Sequence, residues 1–170
     1  DKAVEIYSKA LTIKPDFVDV YYNLGNTLKE LGQFDKAVEI YSKALTIKPD
    51  FALAHYNLGN VHSEHRKLDM AMASYNKAID IKSDFAEAHS NLGNALQELG
   101  KIEEAVVSYN KALVIKPNLA DTHYNLGIIF QELGQFDEAV ISYNKAIAIN
   151  PDYVEAHSNL GNALKKLGKL

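Results

Sequence analysis

Apolar and polar positions along this chain follow a helical rhythm that restarts every 34 residues, the step from Tyr22 to Tyr56. Between Val18 and Leu31, Tyr21, Leu24, Gly25, Leu28 and Leu31 fall at i, i+3, i+4, i+7 and i+10, which lines one helical face with apolar or small residues. Gly32 follows and suits the left-handed residue that ends a helix. From Asp35 to Ile47 a second stripe is built by Ala37, Val38, Tyr41, Ala44, Leu45 and Ile47, and Pro49 forbids continuation. Each period therefore predicts two helices, and connections this short make neighbours antiparallel. The fragment Tyr-Asn-Leu-Gly-Asn begins at Tyr22 and Tyr56. It returns as Ser-Asn-Leu-Gly-Asn at Ser90 and Ser158, and as Tyr-Asn-Leu-Gly-Ile at Tyr124. Asp1 to Phe17 is identical to Asp35 to Phe51.

A fixed period of this size means one supersecondary unit stacked on its own copies. The expected organisation of residues 1–170 is a single all-α array of about ten helices. Residues 1–17 form the second helix of a truncated repeat. Four full repeats follow at 18–51, 52–85, 86–119 and 120–153, and residues 154–170 form the first helix of a last, truncated one. Asp50 is a candidate N-cap. Asp84 with Glu87, and Asp152 with Glu155, read as variant capping boxes. Gly25, Gly59, Gly93, Gly127 and Gly161 lie mid-helix, where glycine costs roughly 1 kcal/mol relative to alanine. Glycine facing the recurrent alanines of the second helix is expected to bring helix axes together. Tyr7, Tyr41, Tyr75, Tyr109 and Tyr143 recur among apolar residues and are expected in the core. Lys9, Lys43, Lys77, Lys111 and Lys145 form a row expected to compensate helix C-terminal dipoles.

Composition narrows the function classes. Hydrophobic residues make up 47% of the 170, ample for a packed core. A net charge of −4 argues against nucleic acid and anionic membrane surfaces as partners. With no cysteine there is no disulfide or thiolate chemistry, and no apolar run is long enough to span a membrane. No P-loop, nucleophile elbow, His-Glu-x-x-His or dinucleotide fingerprint occurs, so neither an enzyme nor a cofactor is expected.

The set Tyr21, Leu24, Gly25, Leu28, Gly32, Ala37, Tyr41, Ala44 and Pro49, repeated along the whole chain, resembles the tetratricopeptide repeat family. Ala-His-Ser-Asn-Leu-Gly-Asn, from Ala88 and Ala156, and Lys-Pro-Asp-Phe, from Lys14 and Lys48, are most similar to the arrays attached to O-linked N-acetylglucosamine transferases and their bacterial relatives. The resemblance implies a right-handed superhelix of helix pairs, with first helices lining a concave groove used for protein–protein scaffolding. It also implies that an asparagine ladder in that groove contacts peptide backbones.

The face opposite the apolar stripe carries the candidate chemistry. In the first full copy it reads Asp19, Tyr22, Asn23, Asn26 and Glu30. Asn23 recurs as Asn57, Asn91, Asn125 and Asn159. Asn26 recurs as Asn60, Asn94 and Asn162, with Ile128 the exception. Nine mid-helix asparagines forgo about 4–5 kcal/mol of helix propensity, which something must offset. An amide can donate to a C=O and accept from an N–H of one peptide group, so an amide row could grip an extended segment whatever its sequence. Alternatively, the amides bond neighbouring helices and pin the stacking. Tyr22, Tyr56 and Tyr124 share the face and could stack on a ligand. Asp19, Glu87, Asp121 and Glu155 form one acidic column, broken by Leu53. Glu30, Glu64, Glu98 and Glu132 form another, ending at Lys166. Acidic flanks favour a neutral to basic protein or peptide partner.

His55, His89, His123 and His157 share a column whose spacing of roughly 8–10 Å per repeat is too long for shared metal ligation, so edge packing is expected. His62 and His65 replace leucines three apart with no third ligand evident, so no metal is expected. Arg66 stands where glycine ends other helices, and Ser83 where proline stands elsewhere. The second full repeat is thus expected to be the weakest. The chain closes in phase with its own beginning, Leu170 leading in register to a residue like Asp1, which suggests head-to-tail association of copies. The leading functional reading is a protein-interaction scaffold. The alternatives are a substrate-recruiting arm of a larger glycosyltransferase and a self-assembling structural module.

Overall fold

A computed structural model describes residues 1–169; Leu170, with which the register closes, lies outside them. Ten helices and no strands occur among the described residues. They are α1 (Lys2–Ile13), α2 (Val18–Glu30), α3 (Phe34–Ile47), α4 (Ala52–Glu64), α5 (Leu68–Ile81), α6 (Ala86–Glu98), α7 (Ile102–Ile115), α8 (Ala120–Glu132), α9 (Phe136–Ile149) and α10 (Val154–Lys166). The all-α, helix-pair architecture expected from the period is therefore present. The chain divides into two compact units, Asp1–Asp84 and Phe85–Leu170. In the first, α2 packs on α3, α4 on α5 and α3 on α4. In the second, α6 packs on α7, α8 on α9 and α9 on α10.

First helices end as the glycines predict. Gly32, Gly100, Gly134 and Gly168 have φ between 67° and 73°. The following N–H bonds back five residues, as Gln33 does to the Leu28 carbonyl at 2.8 Å, closing a Schellman motif. Arg66 takes the same turn with φ 55°, and Lys67 still bonds the His62 carbonyl at 2.9 Å. A side chain there costs about 1 kcal/mol that glycine avoids. Ser83 leaves its turn unaltered: the preceding Lys82 is extended (φ −133°, ψ 92°), close to Lys48 before Pro49 (φ −130°, ψ 86°).

Three local expectations need correction. Asp50, Asp84 and Asp152 do not cap. They sit one residue ahead of the N-caps, which are Phe51, Phe85 and Tyr153, and none of these helices has a side-chain cap bond. The rings pack on the first helix of their own repeat, Phe51 at 5.1 Å from Tyr22 and Tyr153 at 4.9 Å from Tyr124, and the boundary is the same at Leu119, which has no ring. Lys48 covers the Phe51 ring from 5.2 Å, which accounts for the Lys-Pro-Asp-Phe phrase. Among the described residues only Asp1 caps a helix with its side chain, accepting from the Ala3 N–H at 2.8 Å. The lysine row lies before the last turn of its helices, which carries no basic residue, so it does not serve helix C-termini; Lys43 instead pairs with Glu39 at 2.7 Å.

The third correction concerns the core. The mid-helix glycines face tyrosine rings, not alanines. A Cβ on Gly25, Gly59, Gly93 or Gly127 would lie 2.5–2.6 Å from a ring carbon of Tyr41, Tyr75, Tyr109 or Tyr143. Each of those tyrosines is at most 1% exposed, and the paired alanines (Ala37 and Ala44, for example) are fully buried. Tyr41, Ala37, Leu24, Leu28 and Val61 form a core cluster in the first unit; Ala139, Tyr143 and Ala163 form one in the second.

His62 occupies the core position of a leucine and is buried. Burial, then the nearby Lys67 and His65, lowers its pKa below the ordinary 6.5. Its folded form therefore binds a proton less readily than the unfolded chain. Stability is retained above about pH 6.5 and lost as pH falls through that value toward the lower folded pKa. His62→Leu is expected to raise Tm at pH 7 by about 2–4 °C. It should also shrink the fall in Tm between pH 7 and 5, both read by thermal melts. An unchanged melt at both pH values would contradict this. His65 is different: its ring meets Phe34 edge-on at 5.0 Å, a contact that leucine would lose.

Candidate peptide-binding groove

The asparagine column forms a bonded network with the core tyrosines. In the first unit the Tyr41 hydroxyl donates to Asn26 Oδ1 at 2.7 Å, and Asn57 Nδ2 donates to the same oxygen at 2.8 Å. Asn57 Nδ2 also reaches the Tyr22 hydroxyl at 3.2 Å. Tyr75 donates to Asn60 at 2.9 Å. The second unit repeats the pattern: Tyr109 donates to Asn94 Oδ1 at 2.7 Å, with Asn125 Nδ2 on that oxygen at 2.9 Å. Helical geometry explains the meeting. The Asn26 row sits next to the glycine that admits the tyrosine ring, so the hydroxyl emerges at the amide. Asn159 Nδ2 donates to the Tyr124 hydroxyl at 3.2 Å. Where Ile128 replaces asparagine, the Tyr143 hydroxyl turns to Gln131 Oε1 at 3.3 Å.

This bonding is selective. It consumes Asn94 Oδ1 and Asn125 Nδ2, while Asn94 Nδ2 and Asn125 Oδ1 bond none of the described residues. The same holds for Asn26 Nδ2 and Asn57 Oδ1. Asn94 and Asn125 line a concavity of about 450 Å³ with Gln97, Glu98, Ile102 and Glu132. Gln97 and Ile102 were not among the expected site residues. Gln97 was legible three residues beyond Asn94 on the same face. Ile102 comes from the start of the next helix, and only packing brings it there.

Electrostatics places the second acidic column beside the amides. Burial chiefly raises the Tyr41 phenol pKa. Tyr22 adds to this, the Asn57 amide opposes it, and Glu30 and Glu64 raise it further. Burial also raises Tyr109, with Asn125 opposing and Glu98 adding. Tyr143 is pushed up to about 12 by burial first and then Tyr124, with Asn159 opposing and Glu132 adding. These hydroxyls stay protonated donors at neutral pH, and the carboxylates at 30, 64, 98 and 132 act directly on the network.

The other expected site residues are distributed differently. Tyr22 stacks on Tyr41 and Phe51, Tyr56 on Tyr75, and Tyr124 on Tyr143 and Tyr153, so each ring already has an internal partner. Asp19, Glu87 and Asp121 lie in the first turns of their helices, away from the 450 Å³ concavity, and Glu87 pairs with Lys116 at 2.9 Å. Asn91 is half-buried; Asn23 and Asn162 are exposed. Neither exposed amide bonds a described side chain. The histidine column staples loops: the Nε2 atoms of His55, His123 and His157 lie 2.9–3.0 Å from the carbonyls of Pro49, Pro117 and Pro151. No group of three or more potential metal ligands occurs among the described residues. Among the described residues no helix is long and apolar enough to cross a membrane.

Five stretches of the chain, residues 1–32, 25–65, 67–100, 93–134 and 129–168, match the family model described as TPR repeat. No curated protein sequence matches. Among solved structures the chain is similar to MamA, at 26% identity and a TM-score of 0.81 over 89% of this chain and 83% of that one. It is also similar in fold to YrrB, described as a TPR protein with an unusual peptide-binding site (22% identity, TM-score 0.81, 98% of this chain and 86% of that one). A further fold likeness is to BtubC from P. vanneervenii, at 22% identity and 0.81 over 99% of this chain and 81% of that one.

Proposed function

Since this chain belongs to the TPR repeat family, we propose that it is a non-catalytic protein-interaction scaffold that holds an extended, neutral to basic peptide segment against its asparagine-lined first helices. The observation that carries this reading is the unspent pair in the second unit. Asn94 Nδ2 and Asn125 Oδ1 present one donor and one acceptor in the same concavity. Those are the two groups a backbone peptide unit requires, in complementary sense. Ile102 offers an apolar contact, and Glu98 and Glu132 select against acidic segments. The internal bonds support recognition, because amides already locked by a tyrosine lose little side-chain entropy on binding. The peptide-binding site named for YrrB is in keeping with this use of the fold. A substrate-recruiting arm of a glycosyltransferase would work through the same surface, with its catalytic domain outside this chain.

Binding of fluorescein-labelled extended peptides, read by anisotropy, tests the groove. Basic and neutral peptides are expected to bind more tightly than acidic ones. Asn125→Ala is expected to weaken binding about tenfold, equivalent to roughly 1.4 kcal/mol. Glu98→Gln with Glu132→Gln should erase the preference for basic peptides while leaving neutral ones bound. Unaltered affinity and preference in all three substitutions, with unchanged helical circular dichroism, would reject the groove.

A further inference from the structure

We propose that the outer faces of α7 and α9 form a second docking site, for an acidic amphipathic segment of another protein. The solvent-facing row of each second helix can be followed from copy to copy. In α3 it reads Glu39, Ser42, Thr46, and in α5 Ala73, Asn76, Asp80. In α7 the same positions are Val107, Asn110, Val114, and in α9 Ile141, Asn144, Ala148. The middle of these three positions stays polar throughout; at the outer two the first unit bears Glu39, Ala73, Thr46 and Asp80, while the second bears only aliphatic side chains. They gain nothing from the core: Val107 is 53% exposed, Val114 83% and Ile141 55%. Scattered surface aliphatics need no explanation, but aliphatics at equivalent positions of two successive second helices, beside an apolar cleft, mark an interaction surface.

A cleft of about 680 Å³ opens on this side, lined by Leu113, Val114, Pro117, Ala148, Ile149 and the polar Lys145, among others. Its charge identifies the occupant. In α3, Lys43 is neutralised by Glu39 four residues earlier, at 2.7 Å. The equivalent partners of Lys111 and Lys145 are Val107 and Ile141, and neither lysine pairs with a carboxylate among the described residues. The substitutions that create the apolar surface therefore also release two ammonium groups at its border. Exposed Glu104 and Glu138 stand one turn before Val107 and Ile141, but the described lining of the cleft holds Lys145 and no carboxylate, so the cleft fits a segment that combines apolar anchors with Asp or Glu. This site is independent of the asparagine groove, which lies on first helices and is edged by carboxylates.

The full chain would be titrated into a labelled 18-residue peptide with leucine at i, i+3, i+4 and i+7 and glutamate elsewhere. The variant carries V107E, V114T, I141A and A148D together. Each new residue already stands at the equivalent position of α3 or α5, so folding is preserved by precedent. The parent is expected to bind and the variant to bind at least tenfold more weakly, with peptide binding at the asparagine groove unchanged. Equal binding by parent and variant, equal binding of a lysine-for-glutamate peptide, or binding only to anionic phosphatidylserine vesicles would overturn the proposal. So would a concentration-dependent mass in light scattering that the variant abolishes, since a second copy would then cover the face.

Discussion

Gly127→Ala is expected to destabilise the protein, whereas Gly161→Ala, at the same place in the repeat, is expected to stabilise it. In a helix interior the change from glycine to alanine gains about 1 kcal/mol by itself. At Gly161 nothing lies within 4 Å of the new Cβ, so most of that gain should appear. At Gly127 the Cβ would meet Tyr143 ring carbons at 2.5, 2.6 and 3.0 Å. The ring cannot swing aside. It is fully buried, flanked by Ala139 in the core cluster, and tethered through its hydroxyl to Gln131. Overpacking of this kind costs typically 1–3 kcal/mol and sometimes more, enough to outweigh the propensity gain. The propensity gain is common to both variants, so they should separate in urea unfolding by the overpacking cost, roughly 1–3 kcal/mol. Equal stability of the two would mean that glycine is not there to admit the ring.

The second expected result concerns Asn26. Replacing it with isoleucine leaves the Tyr41 hydroxyl, on a fully buried side chain, without the acceptor it holds at 2.7 Å. Asn57 loses its 2.8 Å bond at the same time. Stranding a buried donor costs about 1–3 kcal/mol, and isoleucine recovers almost none of this through helix propensity. The protein itself contains the remedy. At Ile128 the same substitution exists, and Gln131 three residues on accepts from Tyr143. The equivalent position in α2 is Lys29, so Lys29→Gln in the Asn26→Ile background should restore about 1 kcal/mol, an ordinary hydrogen bond. Made alone, Lys29→Gln, at a half-buried position outside the core, should change stability by less than half of that. A double-mutant cycle by chemical denaturation reads the coupling directly. Additive effects would show that the glutamine does not take over the hydroxyl.

These two cases mark where the sequence stops being sufficient. Helix spans, the glycine stops and the burial of Tyr41, Tyr75, Tyr109 and Tyr143 were legible, because each depends on residues within a turn or two of one another, whereas Tyr7, expected in the core with them, is only half-buried. The faces of the first helices were legible for the same reason. The failures share a different cause. Asp84 and Asp152 matched a capping pattern, but the N-caps fall one residue later, on Phe85 and on Tyr153, whose ring packs on Tyr124 of its own repeat. Gly25 called for a close neighbour, and whether alanine or tyrosine filled the space depended on the register between α2 and α3. The asparagine column looked uniform, yet its members differ in how many polar atoms remain for a ligand.

By itself, then, the amino-acid order determined the repeat, the all-α class, the antiparallel pairs and the rows of residues that share a helical face. Those follow from 3.6 residues per turn and a 34-residue period. The tertiary structure alone decided what each row meets: a ring against a glycine 16 residues earlier, a hydroxyl on an amide 15 away, an amide on an amide 31 away. Such meetings are set by how side chains of one helix interlock with the next, and interlocking depends on the volume and hydrogen-bond demand of both partners at once.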